Sequence, residues 1–423
     1  MSRTKGSLNR STVEKLQQQK RKDGNIQVMN FQKQIENAPI IRYNAQYNIY
    51  NYGLRNLYPF DLISLYNTSV TMKSCVDFMT AALAGEGVSW EEMGEDEKNV
   101  QAPNYNTSWF SFIKSLCFDM SLYSAFSFQV IKNKDGKTYS FFHQPIETVR
   151  LEQMDEDGVI NNAYLCSDWS EPQKNGVIKM PMFGFQEEKE IPKGVPHLFY
   201  YAQYNPVNKV YGLPIYSSAL NCIQAEAKFQ IQNLKQIVNG FASAGCLTLP
   251  QYETEEERRE VIKNITDMFT GELNSNSIML SFRNNIEDKP VEWTPFVQNT
   301  SNVNMYADAT ERTVNWIMGA FKIPSKMLIG YPSDNQGFSD SGSLMESAFA
   351  IYNVNVANSI RREILDVINS MFRLNGIELE IKLKPLRYKI DDGTTENKID
   401  TTEETKGTPK DEDEVEEREK NTI

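Results

Sequence analysis

An α+β fold is predicted, mixed in its first half and mainly helical in its second. Three observations predict it. Apolar residues recur at three- and four-residue spacing over several long segments. Short strand-like runs separated by Lys-Asp-Gly and Glu-Asp-Gly crowd residues 125–201, as hairpins do. Past residue 213, two long helical patterns flank a module that reads strand, helix, hairpin.

Residues 1–40 are polar, Gln-rich and basic, with a short helix expected around 13–22. Order begins at RYNAQYNIYNYGLRNLYPFDLISLYNTS. YPFDLISLYNTSVTMKSCVDFMTAALAGEGV reads as one helix, with Leu62, Leu65, Tyr66, Val70, Met72, Val76, Met79 and Leu83 on its apolar face. Gly85 and Gly87 end it. An acidic loop fills 88–106, and 108–122 reads as a helix capped by Thr107 or Ser108. SAFSFQVIKNKDGKTYSFFHQ is a hairpin about KDG. ETVRLEQMDEDGVINNAYLCSDW is another, about Glu156-Asp157-Gly158, and VPHLFYYA is a strand.

In the second half, LPIYSSALNCIQAEAKFQIQNLKQIVNGFASAG predicts a helix of about 27 residues from Leu213 to Gly240. CLTLP is a strand. TEEERREVIKNITDMFTGEL is a helix capped by Thr254, with Glu255 to Glu257 in the first turn where the helix dipole favours acids. SIMLSFRNNIEDKPVEWTPF predicts two short strands about a turn at 284–289. NVNMYADATERTVNWIMGAF is a helix. A polar loop follows, then an amphipathic helix over 343–373, about 46 Å long at 1.5 Å per residue. IELEIKLKPL is a final strand before an acidic tail.

Composition narrows the function. The 423 residues are 40% hydrophobic and 11% aromatic, enough for a sizeable core, and no apolar run approaches the length of a membrane span. The N-terminus lacks the apolar centre of a secretory signal. Five scattered cysteines (Cys75, Cys117, Cys166, Cys222, Cys246) without a CxxC fit a reducing compartment. The net charge of −12 is uneven: residues 1–22 carry seven Lys/Arg and one Glu, whereas 391–423 carry thirteen Asp/Glu and five Lys/Arg. An acidic body serves solubility alone, the plainer reading, or suits a surface that DNA slides past better than one that grips it.

The residues of catalysis are sparse. His143 and His197, the two histidines, lie in strand-like aromatic contexts and read as structural. Neither HExxH, CxxC, a phosphate-binding GxxxxGK[ST] nor GxSxG occurs. Glu91-Glu92 and Glu255 to Glu257 read as solvated carboxylates. No catalytic residue, cofactor or metal ligand is expected.

The order and spacing of four stretches resemble the portal proteins of tailed bacteriophages. They are NLYPFDLISLYNTSVTMKSCVDFMTAALAGEGV, YGLPIYSSALNCIQAEAKFQIQNLKQIVNGFASAG, ERTVNWIMGAFKIPSKMLIG and SGSLMESAFAIYNVNVANSIRREILDVIN. The resemblance covers about residues 45–387. It implies a basic arm (1–44), an α+β wing (45–212), a first stem helix (213–240), a clip (241–300), a second stem helix (301–323), a tunnel loop (324–342), a long helix with a returning wing strand (343–387) and an acidic tail (388–423). Many portals continue into a helical crown after this point; here the tail stands instead.

The resemblance also implies a homo-oligomeric ring, a dodecamer, at one capsid vertex of the virion, assembled in the host cytoplasm. Double-stranded DNA would pass through it during packaging and ejection without sequence-specific contact. Partners would be the large terminase, which hydrolyses the ATP, an adaptor or head-completion protein, and the major capsid protein or scaffold; no membrane is involved. Tyr331, Ser333, Asp334, Asn335, Gln336, Ser339 and Asp340 would face DNA. Asn284, Asn285, Glu287, Asp288 and Lys289 would meet terminase or adaptor. Arg3, Lys5, Arg10, Lys20, Arg21 and Lys22 would contact capsid or DNA. Another ring-forming head or tail protein is the alternative reading, and a metal-dependent nuclease or nucleotidyl transferase a more distant one.

Overall fold

The computed structural model describes residues 35–185, 191–238, 245–249, 254–269, 278–282, 292–295, 301–331 and 341–386. Residues 1–34 of the N-terminal arm, the acidic tail, the turn at 284–289 and residues 332–340 lie outside the described residues.

A two-stranded ribbon, β1 (Arg42–Asn44) and β2 (Ile49–Asn51), opens the fold. The predicted single helix is two, α1 (Tyr58–Thr68) and α2 (Val70–Ala84). The break falls at Ser69, whose backbone is extended (φ −96°, ψ 116°) and whose Oγ accepts from Met72 N at 3.0 Å. An N-cap hydroxyl bonded to its own helix starts a new helix although the apolar spacing runs through. After β3 (Gly87–Val88), α3 (Trp109–Tyr123) starts at Ser108, whose Oγ accepts from Ser111 N, as expected. β4 (Ala125–Lys132), β5 (Tyr139–His143) and β9 (Pro196–Ala202) form an antiparallel sheet in the order β5-β4-β9, with the KDG turn joining β4 to β5. β6 (Val149–Leu151), β7 (Asn162–Leu165) and β8 (Ile178–Pro181) form a second sheet, and a short helix, α4 (Pro172–Asn175), precedes β8.

The core joins α1, α2 and α3 to the first sheet. Trp109 is its centre: edge-on to Phe372 at 4.5 Å and to Phe112 at 6.1 Å. Arg150 on β6 is fully buried under the second sheet. Its Nε donates to Asn56 Oδ1 at 2.5 Å, its other nitrogens reach the carbonyls of Asn56, Glu147 and Val149, and Trp169 lies over the guanidinium at 5.1 Å. Burial lowers its pKa to about 10.

The second half begins with α5 (Leu220–Val238), led by a single 3-10 turn at Ser217–Ala219. The expected start at Leu213 is too early by four residues for the 3-10 turn and seven for α5; Tyr216, just ahead of them, stacks on Phe321 at 4.6 Å and donates to Leu122 O at 2.7 Å. β10 (Gly245–Leu249), α6 (Glu255–Phe269), β11 (Ile278–Phe282) and β12 (Glu292–Pro295) form the inserted module. Glu257 N donates to Thr254 Oγ1, so the predicted cap holds. The hairpin does not. β10 lies between β11, parallel to it, and β12, antiparallel, so β11 and β12 never pair. A strand–helix–strand crossover places β11 beside β10 and leaves β12 the other edge.

α7 (Ser301–Ala320) returns to the body. The last long helix runs from α8 (Ser341–Tyr352) through a π-helical turn (Asn353–Ala357) into α9 (Asn358–Leu374). The predicted strand over 377–386 shrinks to β13 (Leu383–Lys384), paired with β3, because Ile381 N donates instead to Asn369 Oδ1. Gly85 allows that pairing: at φ +64°, any Cβ there would sit 2.1 Å from Lys384 O. No helix among the described residues is long and apolar enough to cross a membrane.

Candidate functional site

Two long helices carry the inserted module away from the body. α5 leads out, α7 leads back, and the two pack on one another. Near the body their facing side chains are core: Leu220 and Ile223 on α5, Val314, Ile317 and Met318 on α7. Farther along α5 the burial ends, and Ile231 and Leu234 are more than half exposed.

Where α7 ends, the chain stays on the body for eleven residues before entering 332–340. Lys326–Ile329 form a 3-10 turn capped by Ser325, with Leu328 and Ile329 in the core, and Gly330 closes it at φ +85°. Residues 324–331 of the segment expected as a loop thus lie against the body, and 332–340 are outside the described residues. Lys326 Nζ meets Glu311 Oε1 on α7 at 3.0 Å.

A polar network anchors this base. Glu226 of α5 is 5% exposed. Its carboxylate accepts from Ser69 Oγ, from Thr71 N at 3.2 Å and from Thr71 Oγ1 at 2.8 Å. It therefore sits at the N-terminus of α2, where the backbone amides favour an acid. With its proton given to Glu226, Thr71 Oγ1 accepts from Tyr331 OH at 3.3 Å. One chain of hydrogen bonds thus ties α5, α2 and the entry to 332–340. The other end of α2 is held likewise: the Arg361 guanidinium on α9 donates to the carbonyls of Ala82 and Leu83.

Of the residues expected to face DNA, Tyr331 is described, half-buried against α2. Ser333, Asp334, Asn335, Gln336, Ser339 and Asp340 lie outside the described residues, as do the turn residues Asn284, Asn285, Glu287, Asp288 and Lys289 and the basic residues Arg3, Lys5, Arg10, Lys20, Arg21 and Lys22. Glu226, Ser69, Thr71 and Arg361 were not singled out by the sequence. Only Asn-Thr-Ser-Val-Thr, a run of capping residue types inside an apolar pattern, could have flagged the break at Ser69.

Reactive groups are otherwise accounted for structurally. His143 Nε2 meets Asp119 Oδ2 at 2.7 Å, and burial pushes the Asp119 carboxyl up to about 6. His197 Nδ1 lies 3.1 Å from Val195 O. Burial pushes the Cys117 thiol up to about 12 and Cys75 well above its ordinary value. Glu91, Glu92, Glu256 and Glu257 are exposed, as expected. Among the described residues no three His, Cys, Asp or Glu side chains cluster as a metal site. An open cleft of about 650 Å³ lies between the β1–β2 ribbon and α4, lined by Asn44, Gln46, Tyr47, Asn51, Trp169 and Gln173 among others.

No family model matches the chain, and no curated protein does. Solved structures do. One is an HK97-family phage portal protein from Corynebacterium diphtheriae. It is 9% identical, with a TM-score of 0.43, over 76% of this chain and 95% of that one. A chain from the neck of an empty gene transfer agent particle, computed with C6 symmetry, is 15% identical at a TM-score of 0.49, over 76% and 84%. A chain from the virion of the native particle is 14% identical at 0.47, over 77% and 83%.

Proposed function

We propose that this chain is a portal subunit. Twelve copies form a ring at one capsid vertex of a virion, and double-stranded DNA enters and leaves through the channel. The observation that carries the reading is the placement of a small mixed sheet between two long helices of one body, with residues 332–340 following the turn at Lys326–Ile329. The order of sequence elements set out above supports it independently.

In this reading α5 and α7 are the stem and the β10–β12 module is the clip. The turn at 284–289 meets the terminase and then the adaptor. Residues 332–340 narrow the channel. They hold no Lys or Arg, so their contact with phosphate is weak and independent of sequence. The basic arm, at 1–22, meets capsid, scaffold or DNA through salt-sensitive contacts. The role is structural.

Mass photometry and negative-stain imaging of the purified chain test this. Twelve copies of 48.6 kDa give a particle of about 583 kDa with a central hole. Eleven or thirteen copies would preserve the reading; a monomer or dimer at assembly concentrations would sink it. In a ring reconstruction, residues 332–340 are expected at the narrowest point. If they point away from the axis, the assignment of α5 and α7 fails with them.

A further inference from the structure

Resting on the ring reading, we infer that two exposed helical rows, one on α7 and one on α8, form opposite halves of the contact between adjacent copies of this chain. The first row is Arg312, Trp316 and Gly319. Trp316 is 60% exposed, an unusual position for the largest apolar side chain. Gly319 lies in the last turn of α7, where glycine costs about 1 kcal/mol relative to alanine. Nothing in its own chain requires it, since an added Cβ would meet no atom within 4 Å. An exposed ring beside an exposed hollow is a surface shaped for something outside the chain.

The second row is Glu346, Ala350 and Val354, one side chain per turn on the exposed side of α8 and the π turn. Val354 is 72% exposed, and Ile351 and Leu344 on the same helix are 53% and 45% exposed. Aligned in the same chain direction, the two rows complement each other at three levels. Arg312 meets Glu346, and neither has an ion pair or hydrogen bond of its own among the described residues. Trp316 covers Ala350. Val354 enters the hollow at Gly319. Charge opposes charge, large opposes small, and small opposes large.

The second occupant is a copy of this chain because both complementary halves are on it. Two different surfaces meeting head to tail make a heterologous interface, the kind that closes rings. An isologous dimer would pair the same rows twice, reciprocally, and stop at two copies, whereas the head-to-tail pairing leaves one row free on each end until the ring closes.

A charge exchange in the full chain tests the pairing. Arg312→Glu and Glu346→Arg should each lower the ring fraction at fixed concentration by about tenfold, since like charges then face each other. The double exchange should recover most of it. Independently, Gly319→Cys with Val354→Cys in one chain should yield an oxidation ladder of covalent oligomers on non-reducing gels. If the wild-type chain forms rings but the double exchange is no better than the singles and no ladder appears, the contact is elsewhere and the ring reading stands. If the wild-type chain forms no ring, both fall together.

Discussion

Replacing Glu226 with alanine should loosen the start of α2 and the base of residues 332–340 together. The carboxylate accepts three hydrogen bonds from Ser69 and Thr71 in a buried setting. Bonds to a charged group contribute about 1.5–3 kcal/mol each in favourable cases, and an orphaned buried donor costs about 1–3 kcal/mol. The two hydroxyls can rotate towards other acceptors; the Thr71 amide cannot. The dipole term at a helix N-terminus adds about 0.3–1 kcal/mol. A local loss of about 3 kcal/mol follows, with about 1–2 kcal/mol for Glu226→Gln, which keeps an acceptor oxygen. Hydrogen exchange by mass spectrometry reads this directly. Peptides spanning 69–76 and 326–331 should exchange about 100-fold faster in Glu226→Ala, at 1.4 kcal/mol per tenfold, and less so in Glu226→Gln. Unchanged protection at 69–76 would refute the clamp. Loosening at 69–76 alone would break the proposed link through Tyr331.

The Asp119–His143 pair predicts a pH dependence. Burial raises the Asp119 carboxyl to about 6. For His143, burial opposes protonation, but the hydrogen bond and charge of Asp119 outweigh it and the net shift is upward. Both folded values lie above the unfolded ones, so the folded state binds protons more tightly, and the pair's contribution is lost as pH rises through about 6 and above. Thermal unfolding should show Tm falling between pH 5 and 8, with a flatter profile in Asp119→Asn; an identical profile would exclude the pair as its source. Gly85→Ala places a methyl 2.1 Å from Lys384 O, so β13 must detach from β3. Limited proteolysis should then cut between 376 and 386, and a variant as resistant as wild type would disprove the contact. Arg150→Met removes a buried cation and leaves the carbonyls of Asn56, Glu147 and Val149 without their donor. A loss of about 3 kcal/mol or more is expected from urea unfolding, and a loss under about 1 kcal/mol would contradict it. Excising residues 334–338 should leave urea unfolding of the body unchanged, because the deletion spares Tyr331 and its contact with Thr71. A large loss of stability would place those residues inside the fold.

What the sequence made legible is what local chemistry decides. Ser108 before Trp109, Thr254 before Glu255 and the KDG turn each act within a few residues, and each is found where expected. The pairing of β11 and β12 was not legible, because their true partner, β10, pairs Gly245 with Ile278 of β11 and with Pro295 of β12, far earlier in the chain, and nothing in the SIMLSF or VEWTP pattern says which edge each takes. The division at Ser69 was masked by apolar spacing that stays in phase across it. Glu226 gave no signal at all: within IQAEAKFQ it looks like any solvated acid, and only α2 makes it buried. The functional residues proposed at 284–289 and 332–340 rest on sequence order.

The ends of α2 are held by side chains that arrive 155 and 279 residues later, and Tyr139 exchanges backbone hydrogen bonds with the side chain of Asn375. During synthesis, then, the first 215 residues leave the ribosome as an unfinished body. Its hydrophobic core lacks Ile364, Ile368, Met371 and Phe372, and the C-terminal turn of α2 lacks its guanidinium. The β10–β12 module completes its own sheet before that happens. A nascent chain stalled short of residue 375 therefore presents a formed outer module on an open body, the state most exposed to aggregation and most dependent on a holding chaperone. Copies of the chain can meet as finished pieces only after α9 has folded onto the core, which separates the folding of each copy from any later association.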